Sequence, residues 1–348
     1  MRRLAALVLV AAAAATVPAC GDEAAAPGSV RLLTHDSFVI SDEARAAFAA
    51  ATGLTIEVLQ AGDAGSMVNQ AILAAGNPVA DVLYGVDTTF LSRALEEDLF
   101  VPYESPALAG ILPALAADEE HRVTPIDYGD VCLNYDKAAF TATPPPQDLA
   151  DLTDPAYRGM LVVEDPATSS PGLAFLLATI ATFGEDGDYT WQDFWAGLRA
   201  NEVQVAAGWE EAYYGAFSGG SGEGDRPIVV SYASSPPAEV IYADPPVDEA
   251  PTAVVTAGCF RQVEYAGILR GTPREDAARQ LIDFLLSERF QEDVPLTMFV
   301  YPALATAGLP PEFVAYAQTP AQPLTMDPAA IEANRERWVE EWASIVLR

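Results

Sequence analysis

Ser29-Val-Arg-Leu-Leu-Thr34, Asp42-Glu-Ala-Arg-Ala-Ala-Phe-Ala-Ala-Ala51 and Leu54-Thr-Ile-Glu-Val-Leu59 follow one another with short polar joints between them. The outer two are short runs dominated by aliphatic and β-branched residues, which favour strands. The middle one is alanine-rich and follows Ser41, whose hydroxyl suits a helix N-cap. Thr52-Gly53 closes it, because glycine is favoured just past a helix end. The alternation continues. Ser66 to Ala75 reads as a helix stopped by Gly76-Asn77-Pro78, and Ala80-Asp-Val-Leu-Tyr-Gly85 as a buried strand. Asp87-Thr88-Thr89 then opens another helix. Strands alternating with helices predict an α/β fold with a parallel sheet, and such sheets bind ligands at the carboxyl ends of their strands. His35-Asp36-Ser37 and Val86-Asp87-Thr88 fall at those ends.

Downstream, Val131 to Tyr135 reads as a strand, and the proline-rich Thr143-Pro-Pro-Pro146 as the way into a second lobe. There Met160 to Glu164 and Ile228 to Tyr232 are strands, and Leu173 to Thr182 is an apolar helix behind the polar loop Asp165 to Gly172. Asp276 to Leu286 and Ala329 to Ile345 are late helices. About 320 residues after the N-terminal leader exceed the usual size of one core, so two lobes are the expectation.

That leader has its own logic. Met1-Arg2-Arg3 is positive, Leu4 to Val17 is apolar or small, and Pro18-Ala19-Cys20-Gly21 sets a small residue before a cysteine. This order marks an export signal, and the junction resembles a bacterial lipoprotein box in which the cysteine is acylated. Residues 1–19 are therefore expected to be a signal peptide, 20–28 a lipidated tether, and Cys20 the lipid attachment. No later apolar stretch reaches spanning length without charge or proline. The chain carries 18 Lys and Arg against 50 Asp and Glu, a net charge of −32, which argues against nucleic acid and anionic lipid. A field of this sign would instead concentrate a cation in a cleft. Cys132 and Cys259 remain after Cys20; both sit in strand-like segments, and the sequence leaves their pairing open.

Polar and aromatic residues recur at the junctions: Asp36, Asp63, Thr168-Ser169-Ser170, Trp209, Tyr232, and Phe299-Val300-Tyr301. Singly, such residues are caps or core. Their recurrence after strand upon strand is the more specific signal. Thr34-His-Asp-Ser-Phe38, Pro125-Ile-Asp-Tyr-Gly129, Glu164-Asp-Pro-Ala-Thr-Ser-Ser-Pro-Gly-Leu173, Gly208-Trp-Glu-Glu-Ala-Tyr213 and Val230-Ser-Tyr-Ala-Ser-Ser-Pro236 together resemble the substrate-binding proteins of bacterial thiamine ABC importers. The resemblance runs in order from about residue 30 to the C-terminus.

The resemblance implies a two-lobed periplasmic-binding-protein type II fold with the ligand cleft between lobes. Residues 29–131 and 255–300 would form one lobe, and 132–254 and 301–348 the other. It implies an extracytoplasmic monomer that closes on thiamine or a thiamine phosphate and delivers it to a permease with its ATPase, with no cofactor and no catalysis. Trp209 and Tyr232 would face the rings, with Phe299 and Tyr301 beside them. Asp36 and Asp63 would supply carboxylates, and Ser169 and Ser170 would meet the hydroxyethyl or phosphate end. Three positions depart from the family pattern: His35 stands for a Tyr, Phe299 for a Trp, and Ala238 for an aromatic. Rival readings are a ferric-ion binder, suggested by the pair Tyr213-Tyr214, and a polyamine or other small-solute binder. An exported hydrolase fits poorly: there is no Gly-x-Ser-x-Gly, and His35 and His121, the two histidines, lie far apart in the chain.

Overall fold

A computed structural model describes residues 28–348. The expected signal peptide, Cys20 and all but the last residue of the tether lie outside the described residues.

The chain opens with β1 (Ser29–Thr34), α1 (Asp42–Thr52), β2 (Thr55–Gln60), α2 (Ala64–Leu73), β3 (Val82–Asp87) and α3 (Leu91–Glu96). The Ser41 hydroxyl accepts from Ala44 N–H at 3.1 Å, and Gly53 ends α1 at φ 74°, a conformation costly for other residues. A short β4 (Phe100–Val101) leads to the long β5 (Thr124–Asp136), then β6 (Leu161–Glu164), α4 (Ser170–Phe183) and α5 (Trp191–Ala200). Next come β7 (Gln204–Ala206), a π-helical turn at Glu211–Ala216, β8 (Ile228–Tyr232), α6 (Ala238–Ile241) and the longest strand, β9 (Thr252–Leu269). The chain finishes with α7 (Glu275–Leu285), α8 (Glu288–Gln291), α9 (Val294–Thr297), β10 (Tyr301–Pro302), α10 (Pro311–Tyr316) and α11 (Pro328–Val346).

One mixed sheet carries the fold, in the order β2-β1-β3-β9-β5-β8-β6-β7, with β10 on β5 and β4 on β9. Its two ends are parallel α/β units, as the alternation predicts: β2, β1 and β3 at one end, β8, β6 and β7 at the other. The middle is the hinge of crossing strands that the family resemblance implies, which the alternation alone does not foresee. β5 and β9 run antiparallel from Thr124↔Ala266 to Asp136↔Thr252 and serve both ends, β9 pairing with β3 and β5 with β8. The Cys132–Cys259 disulfide, left open by the sequence, joins these two strands beside the register shift between Val131 and Leu133.

α4 is apolar on every side and is buried from Ser170 to Ile180. α11 lays Trp342 edge-on against Trp195 of α5, centroids 5.6 Å apart, and Arg335 over the Phe90 ring that precedes α3. The C-terminal helix thus packs on both ends of the sheet.

Candidate functional site: an acidic, aromatic cleft

A cleft of about 950 Å³, counted out to its open mouth, lies where β1, β6 and β8 end. β5 and β9 supply its floor through Asp127, Gly129, Gln262 and Glu264.

One wall is aromatic. Trp209 stacks on Tyr213 at 4.9 Å and 19°, with Tyr214 edge-on at 5.4 Å. Its indole Nε1 donates to Ser231 Oγ at 2.9 Å, so the ring is pinned before any ligand arrives. Tyr232 is fixed in the same way, its hydroxyl donating to Gln262 Oε1 at 2.7 Å. Phe299, also on the wall, adopts φ 54°. A non-glycine residue in that region costs about 1–3 kcal/mol and tends to mark sites where a side chain must be aimed.

Asp63 ties the cleft's sides together. It caps α2, its Oδ1 accepting from Ala64 N–H at 2.6 Å and from Ser170 N–H of α4 at 3.3 Å, while Oδ2 accepts from Trp209 N–H at 3.0 Å. Beside it, Gly65 N–H reaches Thr168 O at 3.1 Å. Burial raises the Asp63 carboxyl, and these donors work against that rise. The approach at Gly208 is so close that a Cβ there would stand 2.9 Å from Asp63 Oδ2.

The floor is acidic. Among the described residues, Asp63, Asp127, Glu210 and Glu264 line the cleft against one basic side chain, His35. Burial, reinforced by Glu264, pushes Asp127 well above the carboxylate range, and Asp87 just behind it is pushed to about 7 by burial. Burial disfavours charge on His35, yet the Glu264 carboxylate, 3.5 Å from Nε2, together with Asp63 and Asp36, holds it above the ordinary histidine value. The wall therefore offers aromatic faces over a floor of acids.

A family model described as bacterial extracellular solute-binding protein matches residues 77–333. This chain belongs to that family. The thiamine-binding periplasmic protein of Escherichia coli (strain K12) is 30% identical over 90% of this chain and 92% of its own. A solved structure described as a periplasmic thiamin binding protein superposes with a TM-score of 0.81 at 28% identity, covering 92% of this chain and 96% of the other. Iron uptake protein A1 of Synechocystis is more distant, 22% identical over 86% of this chain and 82% of its own. The fold is accordingly the two-lobed α/β fold of periplasmic binding proteins, and the family is one of solute binders rather than catalysts.

In this solute-binding protein, five of the eight expected ligand residues line the cleft: Asp63, Ser170, Trp209, Tyr232 and Phe299. Three lie off its wall. Asp36 is exposed and uses its backbone, N–H to Gly62 O and C=O to Gln60 Nε2, to hold the β1 and β2 ends together. Ser169 sits fully buried as the cap of α4, accepting from Gly172 N–H at 3.4 Å and hydrogen-bonded through its hydroxyl to the Asp63 carboxyl. Tyr301 stacks on Tyr128 at 5.4 Å and bonds Thr319 Oγ1 at 3.1 Å. The three departing positions, His35, Ala238 and Phe299, all face the cleft. Sequence reasoning missed Asp127, Glu210, Gln262 and Glu264. Asp127 and Glu210 lay inside quoted motifs, but nothing in the spacing of Gln262 and Glu264 joins them to these.

Proposed function

We propose that this solute-binding protein captures thiamine, free or phosphorylated, in the cleft and hands it to the permease of an ABC importer. One observation carries the reading: pinned aromatic faces at Trp209 and Tyr232 stand above four acids and a single histidine. The thiazolium ring is a permanent cation, and a cation over an aromatic face gains about 0.5–2 kcal/mol, more where water is excluded. Ser170, in the first turn of α4, offers a hydroxyl to the hydroxyethyl or phosphate end. The two relatives named for thiamine support the same ligand. Iron finds less support. Tyr213 donates its phenol to Glu239 at 2.7 Å and is pushed well above its usual value by burial, so it resists becoming a phenolate.

In this reading residues 29–131 with 255–300 form one lobe and 132–254 with 301–348 the other. Asp63 and Gly65 on one side, and Ser170, Thr168 and Trp209 on the other, make the contacts of closure. Closure gains from the ligand only what the ligand binds more tightly in the closed state. Acylation of Cys20 would hold the monomer at the outer face of the membrane, beside its permease.

Calorimetric titration tests the ligand. Protein unfolded and refolded to strip any carried-over ligand should bind thiamine in the sub-micromolar range and give no heat with ferric citrate. The reverse pattern would transfer the cleft to iron. A second result bears on closure: Gly208→Ala should weaken thiamine binding about three- to fivefold, because its Cβ pushes against Asp63. A melting temperature that falls while affinity holds would place Gly208 in folding rather than closure.

A further inference from the structure

Asp87, Glu264 and Asp127 stand directly opposite one another on β3, β9 and β5. Opposed residues on neighbouring strands project to the same face, so three carboxyls form a row across the centre of the sheet. Like charges in that arrangement repel, and burial makes each charge more costly. Asp87 is well supplied with donors: Thr89 N–H and Oγ1 each reach its Oδ1 at 2.6 Å, and Gln262 Nε2 donates to its other oxygen. Asp127 is not. Tyr84 donates to Oδ2, while Oδ1 is buried with no donor among the described residues. The Asp127 carboxyl is in hydrogen-bonding contact with Glu264, itself an acceptor when ionised. Two carboxyls in such contact need a proton between them. Both line the cleft, beneath the aromatic wall.

We propose that the Asp127–Glu264 pair stores a proton in the empty cleft and releases it when a cationic ring docks above, so that ligand capture and proton release are one event. This rests on the reading of the ligand as thiamine. The proton passes to solvent and the ring's fixed positive charge takes its place; no bond in the ligand changes. The ionisable groups facing the pair are His35 after β1, Asp63 at the α2 cap, Tyr84 and Asp87 on β3, Glu210, and Tyr232 on β8. Arg261, further along β9, is taken up by Asp130 at 2.6 and 3.0 Å. The sign follows. Burial and the Glu264 carboxyl opposite hold Asp127 above its ordinary value, the direction that favours a retained proton in the empty cleft. A docked cation favours the ionised carboxyl, so affinity rises with pH, by up to about tenfold per unit when one full proton leaves.

The test is titration of the full-length chain with thiamine at pH 7 in phosphate and in Tris, which differ widely in ionisation enthalpy. The expected difference in heat corresponds to release of roughly half to one proton per ligand. The neutral thiophene isostere of thiamine, with carbon in place of the charged ring nitrogen, should release none. His35→Gln should keep the release, and Asp127→Asn should lose it. Equal heats in both buffers overturn the proposal and leave thiamine as the ligand. Release that vanishes in His35→Gln assigns the proton to the imidazole and also overturns it. If thiamine does not bind at all, the ligand reading fails and this inference falls with it. Should Asp127→Asn not fold, the wild-type, isostere and His35→Gln measurements still decide.

Discussion

Trp209→Ala weakens thiamine binding at least tenfold and leaves the fold standing: this is the expected result with the largest effect on function. Tenfold is about 1.4 kcal/mol, within reach of one aromatic face over a cation together with its share of buried ring surface. The loss is set by pinning as much as by area. Tyr213 supports the indole from behind at 4.9 Å, and Ser231 holds its Nε1 at 2.9 Å, so no side-chain freedom is given up on binding. Stability changes little because the indole is only half-buried, whereas Tyr213, Phe217 and Val229 form the buried cluster behind it. The Trp209 N–H that reaches Asp63 belongs to the backbone and survives the substitution. Trp209→Phe, which keeps a face but no indole donor, should fall between. Titration calorimetry with thiamine decides; an affinity unchanged in the alanine variant would remove this ring from the site.

The sequence reads well where a signal is local. Ser41 and Gly53 bracket α1 as expected, and β8 occupies Ile228–Tyr232, the residues read as a strand. Helices foreseen at Ser66 to Ala75 and Leu173 to Thr182 begin earlier, at Ala64 and Ser170, because Asp63 and Ser169 cap them. The crossing strands are harder. Pro125 and Gly129 interrupt the β pattern of β5, and the register shift near Val131 lets residues 256–259 of β9 pass without partners on β5. Only the segments around Cys132 and Cys259 are therefore legible as strand. The floor of the cleft was hidden for the same reason. Asp87, Asp127 and Glu264 meet through sheet register alone, and no sequence interval encodes that meeting. Asp36 and Ser169 show the opposite error: Asp36 meets Gly62 and Gln60 through its own backbone while its side chain is exposed, and the Ser169 hydroxyl caps α4 and bonds the Asp63 carboxyl. Trp209 and Tyr232 were legible as aromatic faces, but not as pinned ones.

Breaking the Cys132–Cys259 bond should have the largest effect on stability. The bridge closes a span of 127 residues, and the loop-entropy account assigns a loop of this size about 5 kcal/mol at 25 °C. Structure retained by the reduced, unfolded chain would lower that figure, so about 3–5 kcal/mol is the expected loss, or a fall in melting temperature of about 4–8 °C for a chain of this size. The location adds a consequence. β5 and β9 are the strands shared by both ends of the sheet, and the bond sits beside a stretch of β9 with no partners on β5. Without it the join between the two ends is the weak point, and the transition should broaden as they begin to melt separately. A ligand held from both sides of the cleft opposes this. Thiamine at a hundred times its dissociation constant contributes about 2.7 kcal/mol, enough to restore much of what the bond supplied. Thermal melts of the oxidised chain, of the reduced chain and of Cys132→Ala with Cys259→Ala, each with and without thiamine, make the comparison. If reduction leaves the melting temperature unchanged, the crossing strands hold without the bond. If reduction lowers it and thiamine recovers nothing, the two ends are not joined through the ligand, and closure by Asp63 and Trp209 is wrong as well.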